Sequence, residues 1–304
     1  MSKSKSGLGK TRIPFLTHCC NIIVGCLHNC LAHLKDKKGK PVECWAARTA
    51  RRTKCPLCQS FTPHIHPERW AQITPGGAPK VIGLGFMGDL CGDWEWTEET
   101  SHGAWGRDYA THSPQYPVLS LAQLIATRPR HTFVSLTQRP DRLPRIEYPD
   151  NWWWGTTVHN QREADKRIGE LLASGVKHPW VSYEPATGPV DFTKEICLGC
   201  GKEHCGTCPC GTAKTFRYEW SRREYEQKNW PLAGVIAGGM SGPGAVPANP
   251  DWFRRVRDDC AEAGVPFYYK QGPDDSGRAF THMPVLDGRQ HLELPWKMPE
   301  EARA

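Results

Sequence analysis

The chain has 304 residues and a formal net charge of +7, enough length for one large α/β domain or two small ones. No apolar run reaches eighteen residues and no signal-peptide core is visible. A membrane-spanning helix is therefore excluded, and a cytoplasmic protein without a membrane partner is expected. Fourteen cysteines in such a chain point to metal or redox chemistry rather than to a disulfide framework.

Residues 1–18 begin Ser-, Lys- and Gly-rich and read as a flexible end. Seven β-type runs follow: Asn21–Val24, Lys80–Phe86, His131–Thr137, Trp152–Val158, Trp180–Tyr183, Ala233–Ala237 and Val265–Lys270. Most are continuously apolar, as parallel strands buried on both faces tend to be. Trp152, Trp153 and Trp154 fit that pattern as core residues. Between the strands, Ser120–Thr127 has a weak helical pattern. Asn160-Gln161-Arg162-Glu163 reads as a capping box, with Ala164, Ile168, Leu171 and Leu172 at helical spacing. Asn249-Pro250 opens a further helix, Phe253, Val256 and Cys260 form its apolar stripe, and Gly264 stops it. This alternation predicts an α/β fold with a parallel sheet, either an open doubly wound sheet or a partial barrel. In both, chemistry collects at the C-terminal strand ends.

Polar residues and glycines gather at those ends. In chain order they are Cys26, Gly88-Asp89, Gln138-Arg139, Thr157 leading to Asn160, Glu184, Gly238-Gly239 and Lys270. Singly, each has a plain structural alternative: Asp89 and Asn160 as helix caps, the glycines as turns. As a set along one rim they mark a candidate site.

Cys26, Cys30 and Cys44 lie where the first run breaks into a loop. Three thiolates can hold three irons of a [4Fe–4S] cube and leave the fourth open. The first step, C-x3-C, has the radical-SAM spacing; the second is stretched to thirteen intervening residues. The spacing alone does not separate a cluster loop from three unrelated cysteines. The segment from Cys30 to Lys54 carries eight basic and two acidic residues. It reads either as a basic lip steering an anionic substrate or as a solvated insertion.

Two more groups have metal-ligand composition. Cys197, Cys200, Cys205 and Cys210 have zinc-knuckle spacing, with Cys208 as a spare thiol. Zn²⁺ suits them, and a second iron–sulfur cluster is the rival. Cys55-x2-Cys58 followed by His64-x-His66 offers four ligands in twelve residues, although the C-x5-H step is short. On a strand, His64 and His66 would share a face. Cys55 or Cys58 is also an alternative third ligand to the cluster.

Taken in order, several motifs resemble an uncharacterised, phage-associated family of radical-SAM type. They are Gly25-Cys26-Leu27-His28-Asn29-Cys30, Cys44-Trp45-Ala46, the stretch from Phe61 to Arg69, Met87-Gly88-Asp89-Leu90, Leu136 to Pro140, Glu184-Pro185 with Gly188-Pro189, Gly238 to Gly244, and Pro266 to Gln271. The resemblance implies a partial (β/α) barrel of the radical-SAM type, to which the cysteine spacing adds a small Cys-rich metal-binding insert. Together these readings divide the chain into a flexible end (1–18), the first part of the barrel (19–191), the insert (192–230) and the last strands with the C-terminal segment (231–304). The resemblance implies a [4Fe–4S] cluster on Cys26, Cys30 and Cys44, and S-adenosylmethionine (SAM) bound near Gly88 and Asp89. Thr157 and Asn160 would lie near its ribose, and Gly238 and Gly239 near its adenine. Glu184, Lys270, Gln138 and Arg139 become catalytic or substrate contacts, and an external electron donor is required. The substrate expected is anionic, a nucleotide or a DNA base, in a phage DNA-modification setting within the host cytoplasm. The alternative is a non-enzymatic, zinc-stabilised nucleic-acid-binding protein.

Overall fold

The computed structural model describes residues 8–28, 34–35, 38–93, 116–192, 195–197, 215–217, 232–242 and 244–300. The chain divides into two compact units, Met1–Trp154 with Trp296–Ala304, and Gly155–Pro295. Both are mixed α/β, the class the alternation predicts. Pairing is parallel among the longer strands (Val81–Leu84 with Thr132–Thr137, and Gly234–Gly238 with Pro179–Tyr183 and Phe267–Gly272) and antiparallel among most of the short ones. Among the described residues no helix is long and apolar enough to cross a membrane.

In the first unit, β1 (Gly9–Lys10) runs antiparallel to β2 (His18–Cys20). A second, small sheet has β3 (Ile23–Gly25) as its central strand, with β4 (His64–Ile65) antiparallel on one side. β2 pairs in parallel with β5 (Val81–Leu84). The parallel partner of β3 is β6 (Met87–Gly88), in the register Val24↔Met87 and Gly25↔Gly88. β5 pairs in parallel with β7 (Thr132–Thr137). Beside β7 lies β8 (Trp152–Thr157), which carries the chain into the second unit. Trp152 and Trp154 are fully buried, and the Trp152 indole donates to Ser135 Oγ at 3.0 Å.

The first apolar run thus belongs to the small sheet, not to the sheet of β2, β5 and β7. Asn21 sits at the change. Its carbonyl accepts from Arg69 at 2.6 Å and its side chain accepts from the Met87 amide at 3.1 Å. The Cys20 carbonyl still accepts from Gly85, but the Ile22 carbonyl accepts from the His66 amide, so the chain passes to the small sheet at Asn21.

Short helices cover the small sheet. α1 (Trp45–Ala50) packs on β3 and β6, and α2 (Pro56–Ser60) packs on α1. Val24, Ala50 and Cys58 are buried together, with Cys55, Phe61 and Met87 against them. Burying each larger aliphatic side chain of this kind stabilises by roughly 1.5–3 kcal/mol. Pro56 sits where a helix start tolerates its missing amide, and Phe61 closes α2 in the left-handed conformation (φ 57°). α3 (Tyr116–Ala126) buries Val118, Leu121, Ala122 and Ile125 on one face and starts earlier than its weak pattern predicts.

In the second unit, α4 (Gln161–Ala173) starts at the capping box: Asn160 Oδ1 accepts from the Glu163 amide. Glu163 reaches back one residue further than expected, to the His159 amide at 3.0 Å. β9 (Pro179–Tyr183) follows. β10 (Glu195–Cys197) and β11 (Thr215–Arg217) pair antiparallel. β12 (Gly234–Gly238) pairs in parallel with β9. α5 (Pro250–Ala263) has Asn249 as N-cap and Gly264 in the left-handed conformation as stop, with Phe253, Val256 and Cys260 buried. β13 (Phe267–Gly272) joins β12 in parallel, and β14 (Thr281–His282) lies antiparallel to it. A hairpin of β15 (Val285–Leu286) and β16 (Arg289–Gln290) completes the strands.

Candidate functional site

Gly25 controls where the cysteine loop begins. Its φ is +93°, and a Cβ there would lie 2.6 Å from Phe61 O and from Thr62 backbone atoms. Only glycine permits both the turn and that approach. Because Gly25 pairs with Gly88, Cys26 and Asp89 leave neighbouring strands of one parallel pair. Cys44 is the N-cap residue of α1, which packs on those same strands. Cys26 and Cys44 are both half-buried. Cys30 lies outside the described residues.

Asp89 is 3% exposed and its carboxylate is fully engaged within the protein. Oδ2 accepts from His28 Nε2 at 2.7 Å and from the Gln138 amide at 2.8 Å; Oδ1 accepts from the Cys91 amide at 2.9 Å. The acid at the strand end therefore ties down the cysteine loop through His28. His28 sits between two candidate ligands, and its position there was the one signal of this role. Gln138 takes part through its backbone. The Arg139 guanidinium makes a two-pronged contact with Asp141 at 2.8–2.9 Å and also pairs with Asp93. Those hydrogen bonds, the one to Asp141 foremost, push the Arg139 pKa up, so its charge is permanent. Lys35, Arg51, Arg52 and Lys54 of the basic segment are exposed, and Arg51 pairs with Glu43.

Cys55, Cys58, His64 and His66 converge: one ligand atom from each lies within 4.8 Å of all the others. Cys58, His64 and His66 are buried and Cys55 half-buried. The short C-x5-H step works because α2 is followed at once by the left-handed Phe61, which turns the chain back so that β4 passes over the two cysteines. Cys58 Sγ lies 3.3 Å from His64 Nε2 and 3.2 Å from His66 Nε2; Cys55 Sγ lies 3.5 Å from His64 Nε2. Burial pushes the Cys58 thiol up. Burial, then Arg69 and His64, pushes His66 down to about 4. Such a group can hold a metal ion. Cys20, Cys91 and Cys260 are buried thiols raised above their ordinary range by desolvation, Cys20 to about 12, and are inert by comparison.

At the C-terminal strand ends of the second unit, Lys270 Nζ lies 2.8 Å from Glu184 Oε1. The pairing of β12 with β13 shifts between Ala237 and Gly238, so that Ala237 faces Tyr269 while Gly238 faces Gln271. Lys270 is the extra residue of this bulge, which turns its side chain to the acid. A Cβ at Gly238 would lie 2.6 Å from Glu184 Oε1, so any larger residue there would displace that carboxylate. Gln271 Nε2 donates to Gly239 O at 2.8 Å. Tyr268 is raised to about 12, chiefly by burial and then by Glu184. Asn160 serves as the cap of α4, and the Thr157 carbonyl accepts from Arg167 at 2.6 Å. Cys197 ends β10, whereas Cys200, Cys205, Cys208 and Cys210 lie outside the described residues.

Fold and site thus define a mixed α/β protein with a Cys2His2 group able to hold a metal. The chain belongs to the family described as "Protein of unknown function (DUF5131)", which matches residues 10–295. No curated protein matches the chain. Among solved structures it is similar to two variants of spore photoproduct lyase, one of them with a dinucleoside spore photoproduct. Each has 11% identity and a TM-score of 0.36, over 60% of this chain and 49% of that one. The chain thus spans about half the length of those structures.

Proposed function

We propose that the protein is a radical-SAM enzyme of partial-barrel type. The observation that carries this reading is the parallel pairing of β3 with β6, which sets Cys26 beside Asp89, under a helix whose N-cap is Cys44. Cys26, Cys30 and Cys44 would hold a [4Fe–4S] cluster. Cys26 and Cys44 suit that role: both are partly open to solvent, unlike the buried thiols of Cys20, Cys91 and Cys260. When bound, cluster and SAM supply one-electron cleavage chemistry that yields a hydrogen-abstracting radical.

The chain's own residues hold and orient. Gly25 gives the first ligand its exit angle, and the His28–Asp89 bond fixes the loop. Since the Asp89 carboxylate already serves three internal donors, its part in SAM binding is to position the loop and Gly88. In the second unit, Glu184 and Lys270 form a charged pair at strand ends, suited to holding a polar substrate group or moving a proton. Thr157 and the Gly238-Gly239 backbone are the proposed cofactor contacts of that rim. The exposed Lys35, Arg51, Arg52 and Lys54 favour an anionic substrate, and a nucleotide or nucleic-acid base is the class proposed.

The test is anaerobic reconstitution with iron and sulfide, followed by EPR after dithionite, with and without SAM. A reduced-cluster signal that changes on adding SAM, and is lost in Cys26→Ala, is the expected result. Zinc without any SAM-responsive cluster would refute the reading and leave the zinc-stabilised nucleic-acid-binding protein, for which binding must fall steeply with salt.

A further inference from the structure

We propose that Cys55, Cys58, His64 and His66 bind a single tetrahedral Zn²⁺ that braces the strand delivering Cys26. Both imidazoles have their Nδ1 protons fixed by an acceptor. His64 Nδ1 lies 2.7 Å from the Thr62 carbonyl oxygen, which can only accept, so Nδ1 carries the proton and donates. His66 Nδ1 lies 3.0 Å from Glu68 Oε1, a carboxylate oxygen, and donates likewise. In the neutral rings both Nε2 atoms are then lone pairs, and they face each other at 2.8 Å. Two acceptors at that distance, with the Cys58 sulfur 3.2–3.3 Å from both, call for a cation between them. Outward Nδ1–H bonds to a carbonyl and a carboxylate are how metal-ligating histidines are oriented.

The dimensions select one ion. Arms of about 2.3 Å to sulfur and 2.0–2.1 Å to nitrogen give tetrahedral edges of about 3.3–3.8 Å. Three sulfur–nitrogen separations of 3.2–3.5 Å lie within a few tenths of an ångström of such edges, the nitrogens at 2.8 Å need about half an ångström of opening, and all four ligand atoms lie within 4.8 Å of one another. A two-iron cluster held by two cysteines and two histidines would part the sulfur pair from the nitrogen pair by the width of a second iron. Here Cys58 touches both imidazoles, which leaves no room for it. A two-sulfur, two-nitrogen tetrahedron is a zinc site. With four protein ligands, three of them buried, it has no open position, so its role is structural.

What it braces follows from the ladder. β4 carries His64 and pairs with β3 as Val24↔His64 and Ile23↔Ile65, while the His66 amide donates to Ile22 O at 2.6 Å. The Phe61–Thr62 backbone, which orients His64, is the same backbone that closes on Gly25. An ion at the four ligands therefore fixes β4, and through it the exit of Cys26. Its bearing on catalysis rests on the radical-SAM reading; the metal site itself does not.

The test uses the full chain without iron. Elemental analysis compares wild type with the Cys55→Ser/Cys58→Ser double variant, because the Cys197–Cys210 segment can contribute zinc of its own. The expected result is one zinc equivalent less in the variant; equal zinc, or iron in its place, overturns the proposal. A second measurement needs no variant. Chelating zinc from wild type must speed amide hydrogen exchange in peptides spanning Ile22–Cys26 and His64–His66 by about ten-fold or more, and restoring zinc must reverse it. Unchanged exchange there overturns the brace. Both readouts stand apart from the EPR experiment, so failure of the cluster and failure of the zinc site are told apart.

Discussion

Asp89→Asn keeps the size and shape of a side chain that is 3% exposed and changes only what its two ends can accept. In the wild type, one oxygen faces the Cys91 amide and the other faces the Gln138 amide and His28. Both backbone groups are donors, and an asparagine has one oxygen. Whichever way it flips, its NH2 meets a backbone N–H, and that N–H is left unpaired. The orphaned group costs about 1–3 kcal/mol, and the charge-assisted character of the remaining bonds is lost as well. The sum is about 2–4 kcal/mol. Urea unfolding of the ligand-free protein reads it directly, and amide exchange of residues 26–28 should rise in parallel. If the variant lies within about 0.5 kcal/mol of wild type without SAM, Asp89 is not the internal anchor described, and its acid is reserved for a ligand.

Three further outcomes are expected. Gly25→Ala adds a Cβ 2.6 Å from backbone atoms at a φ of +93°; left-handed strain of about 1–2 kcal/mol and overpacking of about 1–3 kcal/mol should lower the denaturant midpoint and loosen β3, whereas Gly39→Ala, whose Cβ meets nothing within 4 Å, should show only the strain. Lys270→Met leaves the Glu184 carboxylate largely buried without its cation. It should cost about 1–3 kcal/mol, discounted for partial exposure, and Glu184→Gln in the same chain should recover most of that in a double-mutant cycle. For Glu163, burial alone would raise the pKa, but the His159 hydrogen bond and charge, with Arg167, hold it below its ordinary 4.5. A depressed carboxylate contributes stability that is present above the unfolded value and lost as pH falls through the folded one. Glu163→Gln should therefore lower stability at pH 7 and flatten the loss of stability below about pH 4.5, so that variant and wild type converge in acid. An acid limb identical to wild type would refute it.

Much of the architecture was legible along the chain. The buried strands announce themselves as continuous apolar runs, and α4 and α5 through Asn160 and Asn249-Pro250, because solvation and capping act on neighbours a few residues apart. The four zinc-type ligands are legible as composition, but their short spacing is made workable only by the left-handed turn at Phe61, which the sequence does not mark. β2 was not legible: His18, Cys19 and Cys20 carry no strand pattern and owe their conformation to pairing with β5. Nor was the fate of Asp89, whose partner His28 lies 61 residues away. The bulge at Lys270 likewise exists only where β12 and β13 fall out of register. Periodicity and caps are written in adjacent residues, so sequence alone carries the elements. A ligand set, a buried ion pair or a saturated carboxylate is closed by groups far apart in the chain, and tertiary packing alone decides which donor meets which acceptor.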